Sequence, residues 1–90
     1  MVLLDLLGRR WALRIGWELR EGGPLSFREL QKRCDAMSAS VLAERLSELR
    51  EAGIVELDRG GYRLTPLGGE LAETLAQLDG WAKRWTKRRA

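Results

Sequence analysis

The sequence contains no histidine and one cysteine, Cys34. A structural zinc site needs several Cys or His ligands, and a Ser-His-Asp triad needs a His base, so the composition excludes both. Paired carboxylates and a phosphate-binding glycine loop are also missing, so we predict no catalytic residues, no metal and no cofactor. With a single cysteine, a reducing cytoplasm is the expected compartment, and we interpret Cys34 as a buried, unreactive thiol.

Long apolar runs are also missing. No stretch approaches the roughly 18 residues that cross a membrane, and the first residues lack the basic-then-apolar order of a signal peptide. We therefore expect no membrane partner. Ninety residues suit one domain, 1–90, whose modest core makes oligomerisation a source of extra stability.

The charge balance is only weakly basic, with 16 Lys and Arg against 13 Asp and Glu and a net charge of +3. Five of the basic residues lie at the end of the chain, at Lys83, Arg84, Lys87, Arg88 and Arg89. Without them, 11 basic and 13 acidic residues remain, a net charge of −2. Bulk charge is therefore weak evidence for a nucleic-acid ligand, and any such face must be a local patch.

Three helices are predicted in the first half of the chain. Apolar residues at steps of four indicate a helix over about 8–21, which the Gly-Gly-Pro segment 22–24 ends. Ser26 and Glu29 form a capping box at the start of the second helix. A tight turn over 35–37 leads to the third helix, 38–52, for which Ser38 is the N-cap.

A small β-hairpin and a last helix follow. Gly53 stands where a left-handed residue ends the third helix. Residues 54–57 and 62–64 are predicted strands, and the turn residues 58–61 join them. Thr65 and Pro66 are an N-cap and a first helical residue. The order α-α-α-β-β-α, mainly α with a small β-hairpin, predicts a winged helix-turn-helix.

The chain resembles the HxlR-type winged-helix transcriptional regulators over nearly its full length. Four segments carry the resemblance: LLGRRWALRIGWEL at 6–19, SFRELQKR at 26–33, MSASVLAERLSELREAGIV at 37–55 and YRLTPLGGEL at 62–71. The related MarR, ArsR and PadR groups share the 26–66 pattern. The resemblance implies a dimeric DNA-binding repressor or activator whose first and last helices form the dimer.

Two departures from that family pattern limit what the resemblance implies. Family members commonly have a longer, proline-bearing wing, whereas here only residues 58–61 separate the strands, so the wing should reach less DNA. Many members carry a cysteine before the first helix that senses redox state in some of them. The sequence shows no cysteine at that place, so no redox switch is implied.

The third helix, 38–52, is the predicted recognition helix, because in this motif its first residues meet base edges in the major groove. Serines can donate to or accept from several bases, alanines can touch a thymine methyl, and Glu44 could accept from a cytosine amine. The alternative is that these are simply small residues suited to a helix surface. The predicted contacts are Ser38, Ala39, Ser40, Ala43, Glu44 and Ser47.

Five further residues are predicted to contact the DNA backbone. Arg28 and Lys32 on the second helix are phosphate candidates, although a solvated helix face explains them nearly as well. Leu42, Leu46 and Leu49 form an apolar stripe along the third helix. Arg45 lies at the edge of this stripe, where it could contact a phosphate, support the helix, or pair with a nearby glutamate. Arg59 and Gly60 lie in the wing, 58–61, and a turn residue chosen for solubility is the alternative for Arg59.

Four tryptophans in 90 residues exceed what a small core needs. A three-helix core uses about one face of each helix, so apolar residues at the chain ends remain without cover. We interpret them as a two-fold dimer interface, with a pocket for a flat apolar effector as the alternative. The predicted interface residues are Leu3, Leu6, Trp11, Leu78, Trp81 and Trp85.

These patterns together predict a DNA-binding transcriptional regulator, a homodimer on double-stranded DNA with an effector that the sequence does not identify. The alternative is a winged helix that binds another protein and no DNA. Its support is the acidic third helix, with Glu44, Glu48 and Glu51, and the near-neutral body of the chain.

Overall fold

A computed structural model describes residues 12–21 and 23–89 of the chain. Within these ranges the order is α-α-α-β-β-α, as the sequence predicts. The elements are α1 (Ala12–Glu18), α2 (Phe27–Arg33), α3 (Ala39–Glu51), β1 (Val55–Asp58), β2 (Gly61–Leu64) and α4 (Pro66–Arg89).

Helix α1 ends three residues before the predicted boundary at Glu21. The Arg20 N–H bonds the carbonyl of Trp17 three residues back, which tightens the last turn and leads the chain out of the helix. The Arg20 guanidinium donates to the same carbonyl at 2.9 Å and lies 3.7 Å from the centre of the Trp17 ring. Leu19 beyond the helix is still buried. The predicted start of this helix lies outside the described residues.

Helix α2 begins at the predicted capping box. The Ser26 Oγ accepts from the Glu29 N–H at 3.1 Å, and a Glu29 carboxylate oxygen accepts from the Ser26 N–H at 3.0 Å. The hydrogen bond from the Ser26 N–H to the carboxylate is the main reason that the pKa of Glu29 lies below its ordinary value. Both ends of the box therefore satisfy helix-start N–H groups, and α2 begins at a defined residue.

Helix α3 has the predicted caps. The Ser38 Oγ accepts from the Val41 N–H at 3.1 Å, and Gly53 adopts a φ of 76° just beyond the helix end. The apolar stripe of Leu42, Leu46 and Leu49 is almost fully buried, at 0%, 1% and 1% exposure. Helix α3 is therefore held through one face, which leaves its opposite face in solvent.

The predicted strand boundaries were wrong by one residue at three of the four strand ends. Asp58 pairs with Gly61, so the turn consists of Arg59 and Gly60 only, and Ile54 lies before the hairpin as a buried residue. The longer hairpin is possible because Gly61 has a φ of 122° and its Cα lies against a third segment of extended chain. A Cβ there would stand 2.6 Å from the Leu25 carbonyl oxygen.

Leu25 adds a short third segment to the hairpin. Its N–H donates to the Tyr62 carbonyl at 2.9 Å, and the Tyr62 N–H returns a bond of 2.8 Å to the Leu25 carbonyl. This bridge ties the wing to the loop before α2, so the hairpin has a fixed position relative to the helices.

Helix α4 begins at Pro66, and Thr65 before it is the N-cap, as predicted. The Thr65 Oγ1 accepts from the Gly68 N–H at 3.0 Å and donates to the Gly53 carbonyl at 2.5 Å. Helix α4 packs against the rest of the chain mainly through small residues, with Leu71 partly buried beside them. Its buried residues are Gly68 and Ala72, while Leu67 remains 57% exposed. Small residues line this face of α4 because the helix lies directly against the Ile54 backbone.

The core lies between α1, α2, α3 and the base of the hairpin. Its fully buried members include Ile15, Leu30 and Leu42, together with Cys34. Burial raises the pKa of the Cys34 thiol above its ordinary value, so the thiolate form is disfavoured. The predicted buried, unreactive cysteine fits this environment.

Candidate nucleic-acid interface

The outward face of α3 presents the predicted base-contacting residues to solvent. Ser38, Ala39, Ser40, Ala43, Glu44 and Ser47 are all exposed. The two serine hydroxyls at the helix start lie 3.1 Å apart, Ser38 Oγ to Ser40 Oγ. Because the Ser38 hydroxyl also caps the helix, the Ser40 hydroxyl and the Glu44 carboxylate are the groups best able to meet a ligand.

The turn between α2 and α3 sets the direction of the recognition helix, and its geometry could not be read from the sequence. Asp35 and Ala36 both have left-handed backbones, with φ of 58° and 56°. The Ala36 N–H bonds the Gln31 carbonyl at 2.9 Å, and the Gln31 side-chain amide donates to the Met37 carbonyl at 2.9 Å. Two left-handed residues cost about 1–2 kcal/mol each for ordinary side chains, so these bonds hold a strained turn.

Arg14 of α1 also holds this turn, a role that the sequence does not indicate. Its Nη2 donates to the Arg33 carbonyl at 2.8 Å, and its Nη1 lies 3.4 Å from the Asp35 carboxylate. Its Nε pairs with Glu18 at 2.8 Å, and this hydrogen bond is the main reason that the pKa of Arg14 is raised. Arg14 thus links α1 to the end of α2, over 19 to 21 positions of sequence.

Arg45 forms ion pairs with other residues of α3. Its side chain is only 14% exposed, and its guanidinium forms an ion pair with Glu48 and lies 3.5 Å from the Glu44 carboxylate. Pairing with Glu48, one of the alternatives left open by the sequence, is the arrangement found. These contacts favour support of the helix over a phosphate contact, and the single positive charge of Arg45 is shared between two carboxylates of the recognition helix.

The wing is a two-residue turn on a hairpin with internal ion pairs. The Gly60 N–H donates to the Asp58 carboxylate at 2.8 Å, which fixes the turn, and both Arg59 and Gly60 are exposed. Arg63 lies 2.7 Å from Glu56 and 2.7 Å from Asp58, so one cation pairs with both acidic residues of the hairpin. The hydrogen bond to Glu56 is the main cause of its raised pKa. Arg59 remains at the tip as a cation without an ion pair among the described residues.

Arg28 and Lys32 occupy the exposed side of α2. They are four positions apart and therefore on one face of the helix. Neither forms an ion pair with another residue in the part of the chain that the structure describes. Their positive charges are thus available to an anionic ligand.

A groove lies between the recognition helix and the first strand of the hairpin. It has a volume of about 460 Å³, opens to solvent, and runs between the end of α3 and strand β1. Ser47, Arg50 and Glu51 line it from the helix, and Val55, Glu56 and Leu57 from the strand. The helix and the hairpin therefore form one continuous surface.

The predicted dimer residues divide into two groups. Leu78, Trp81 and Trp85 lie on α4 at 56%, 53% and 45% exposure, and the two indole rings stack with centroids 6.1 Å apart. These three remain uncovered within the described chain, as the dimer prediction requires. Leu3, Leu6 and Trp11 lie outside the described residues.

Comparison with known proteins places these features in one family. The HxlR-like helix-turn-helix family matches residues 6–90. The chain belongs to this family. The uncharacterized HTH-type transcriptional regulator YvaP of Bacillus subtilis is 35% identical over 89 residues, which cover 91% of this chain and 82% of YvaP.

Solved structures agree with the HxlR-like assignment. The quinone-bound form of YodB from B. subtilis has a TM-score of 0.84 at 35% identity, covering 92% of this chain and 93% of YodB. A candidate HxlR family transcriptional factor of Thermoplasma volcanium has a TM-score of 0.83 at 25% identity, over 94% of this chain and 82% of that protein.

The HxlR-like family and these relatives are transcriptional regulators, not enzymes. The chain is accordingly a winged helix-turn-helix regulator of transcription, a class that acts by binding DNA. None of the helices within 12–21 and 23–89 is long and apolar enough to cross a membrane.

Proposed function

We propose that this chain, a single domain over 1–90, binds double-stranded DNA in the cytoplasm as a homodimer. In this proposal α3 enters the major groove through its exposed face, and the Arg59–Gly60 turn lies beside it. The observation that carries the proposal is the continuous surface of α3 and the hairpin, on which every predicted base-contacting residue is exposed.

The charge arrangement supports DNA over a protein partner. The acidic third helix was the main argument for a protein-interaction module, but Arg45 pairs with Glu44 and Glu48. On the hairpin, Arg63 pairs with the two acidic residues beside the turn. Each of these two groups keeps one negative charge, but Arg28, Lys32 and Arg59 form no ion pair among the described residues. Cations are therefore available to phosphates on this side.

Two-fold symmetry determines the form of the proposed binding site. A homodimer places its two recognition helices in successive major grooves, roughly 34–36 Å apart. The operator should then be pseudo-palindromic, with half-sites one helical turn apart. Small residues and one glutamate on the reading face favour thymine methyl groups and cytosine amines over an Arg–guanine contact.

Salt dependence is the test of DNA binding. We expect the fluorescence anisotropy of labelled duplex DNA to rise with added protein, and the affinity to fall steeply from low to physiological salt. Arg59→Ala should bind about fivefold more weakly, with a salt slope lower by about one unit per protomer, because one phosphate contact is lost. Lys83→Ala is the matched control, since Lys83 already lies 3.4 Å from Asp79.

Absence of binding at low salt, with mixed-sequence duplexes, would contradict the proposal and favour the protein-interaction module. Equal losses for Arg59→Ala and Lys83→Ala would instead show that charge alone, and not the wing, determines the affinity.

Replacement of Trp85 by glutamate tests the proposed dimer. We expect the dissociation constant of the dimer to rise about 30-fold, because a large aromatic side chain is lost from the interface and a charge enters its apolar surface. Sedimentation equilibrium would measure the change in mass. Thr86→Glu adds the same charge to the next residue, on another face of α4, and should leave the mass unchanged. An unchanged mass for Trp85→Glu would contradict an interface at this residue.

A further inference from the structure

Helix α4 carries a regular apolar seam along its solvent side. The seam residues alternate in steps of four and three, at Leu67, Leu71, Thr74, Leu78, Trp81 and Trp85. This spacing keeps side chains on one face over more than five turns and is the pattern by which two helices pair. Four of the six are between 45% and 57% exposed, while Leu71 is partly buried and also contacts the core of its own chain, so the described residues leave most of the seam exposed.

The two ends of α4 carry opposite charges. Its first half carries Glu70 and Glu73, and its last two turns carry Lys83, Arg84, Lys87, Arg88 and Arg89. Asp79 between them pairs with Lys83 at 3.4 Å. Neither Glu70 nor Arg84 forms an ion pair with another described residue. Each end of the helix therefore presents one sign of charge beside the seam.

A parallel pair of such helices would be unfavourable. The five cations of one helix would lie beside the same five of the other, and Trp81 and Trp85 would each face an identical bulky ring. An antiparallel pair places the acidic half of each helix against the basic half of its partner. Each tryptophan then faces a leucine.

We propose that α4 pairs antiparallel with α4 of a second copy of the chain, in a register in which Glu70 contacts Arg84 of the partner subunit. This inference rests on the proposed homodimer and specifies its geometry. The seam layers then join Leu67 to Trp85, Leu71 to Trp81 and Thr74 to Leu78 across the two-fold axis, each layer occurring twice.

The flanking residues determine this register. Glu70, Gln77 and Arg84 each precede a seam residue by one position, so they lie along one flank of the helix. Antiparallel helices bring like flanks together, which places Gln77 opposite Gln77 of the partner subunit, next to the axis. Glu70 and Arg84 then meet twice, once on each side of it. A shift by one heptad would lose both contacts.

A charge swap tests the register. Glu70→Arg and Arg84→Glu should each weaken the dimer about tenfold, because each turns two attractive contacts into repulsive ones. The double variant Glu70→Arg/Arg84→Glu should regain most of the wild-type dimer affinity. Within one helix the two residues are 14 positions and about 21 Å apart, so recovery requires contact between subunits. Sedimentation equilibrium measures all four proteins, and circular dichroism checks that they fold.

Disulfide capture gives a second readout. A chain with Glu70→Cys, mixed with a longer tagged chain with Arg84→Cys, should form a mixed-size crosslinked dimer under mild oxidation. The unsubstituted chain, whose only cysteine is the buried Cys34, is the control.

A wild-type chain that stays monomeric would overturn the proposed homodimer itself. A wild-type dimer with no recovery in the double variant and no mixed crosslink would overturn only the antiparallel register. DNA binding by the wild-type chain is measured separately, so its failure would not be mistaken for either result.

Discussion

Ser40→Glu is expected to lower the affinity for DNA about 100-fold. Ser40 is exposed at the second residue of α3, where the proposed complex brings the helix start to the floor of the major groove. A carboxylate there faces the negative potential of the duplex, and like-charge contacts cost several kcal/mol, with about 1.4 kcal/mol per tenfold. Fluorescence anisotropy titration at fixed salt measures the loss.

The fold should not suffer from this change. A carboxylate in the first turn of a helix interacts favourably with the helix dipole, by about 0.3–1 kcal/mol, so the free energy of unfolding should stay level or rise. Ala76→Glu adds the same charge on the exposed surface of α4 and should cost little DNA affinity. Equal losses for Ser40→Glu and Ala76→Glu would contradict a reading face on α3.

Gly68→Ala is expected to lower the free energy of unfolding by about 3 kcal/mol. A Cβ at Gly68 would stand 2.1 Å from the Ile54 carbonyl oxygen and 3.2 Å from a Leu64 methyl group. The first atom belongs to the backbone, so the start of α4 must move away. That movement would weaken the Thr65 N–H bond to the Ile54 carbonyl, now 3.0 Å, in addition to the cost of overpacking.

The neighbouring glycine provides a matched control. A Cβ at Gly69 meets nothing within 4 Å. Gly69→Ala should therefore raise the free energy of unfolding by about 0.5–1 kcal/mol, because alanine is the better helix former. Urea denaturation of both variants measures the two effects. A loss of similar size at both positions would contradict the close contact at Gly68 and indicate a requirement of the helix start itself.

The element order was predictable because the signals are local. The Ser26–Glu29 box, the Ser38 cap, Gly53 and the Thr65–Pro66 start each act within a few residues, and each has the predicted role. The hairpin ends were missed because Asp58 and Gly61 look like turn residues. They pair only because Gly61 lies against the Leu25 backbone, a contact 36 positions away.

Some residues of the candidate interface could be predicted from the sequence, and others could not. The exposed residues of α3 follow from helical periodicity around Leu42, Leu46 and Leu49, so the sequence indicates them. Arg14, which holds the turn before α3, gives no sequence signal because its partners at Arg33 and Asp35 come from another helix. The pairing of Arg45 with Glu48, three positions along the same helix, was among the alternatives that the sequence offered, and the structure decided between them.

The sequence by itself determined the helices, their caps, the hairpin and the family to which the chain belongs. These depend on propensities, capping and spacing, which act between neighbours along the chain. Only the tertiary structure decided that Gly68 and Ala72, with Leu71 partly buried beside them, form the packed face of α4. This leaves Leu67, Leu78 and the two tryptophans of the helix exposed. The physical reason is close packing: α4 lies against the Ile54 carbonyl, where only small side chains fit, and spacing along the helix cannot distinguish a packed face from an exposed one.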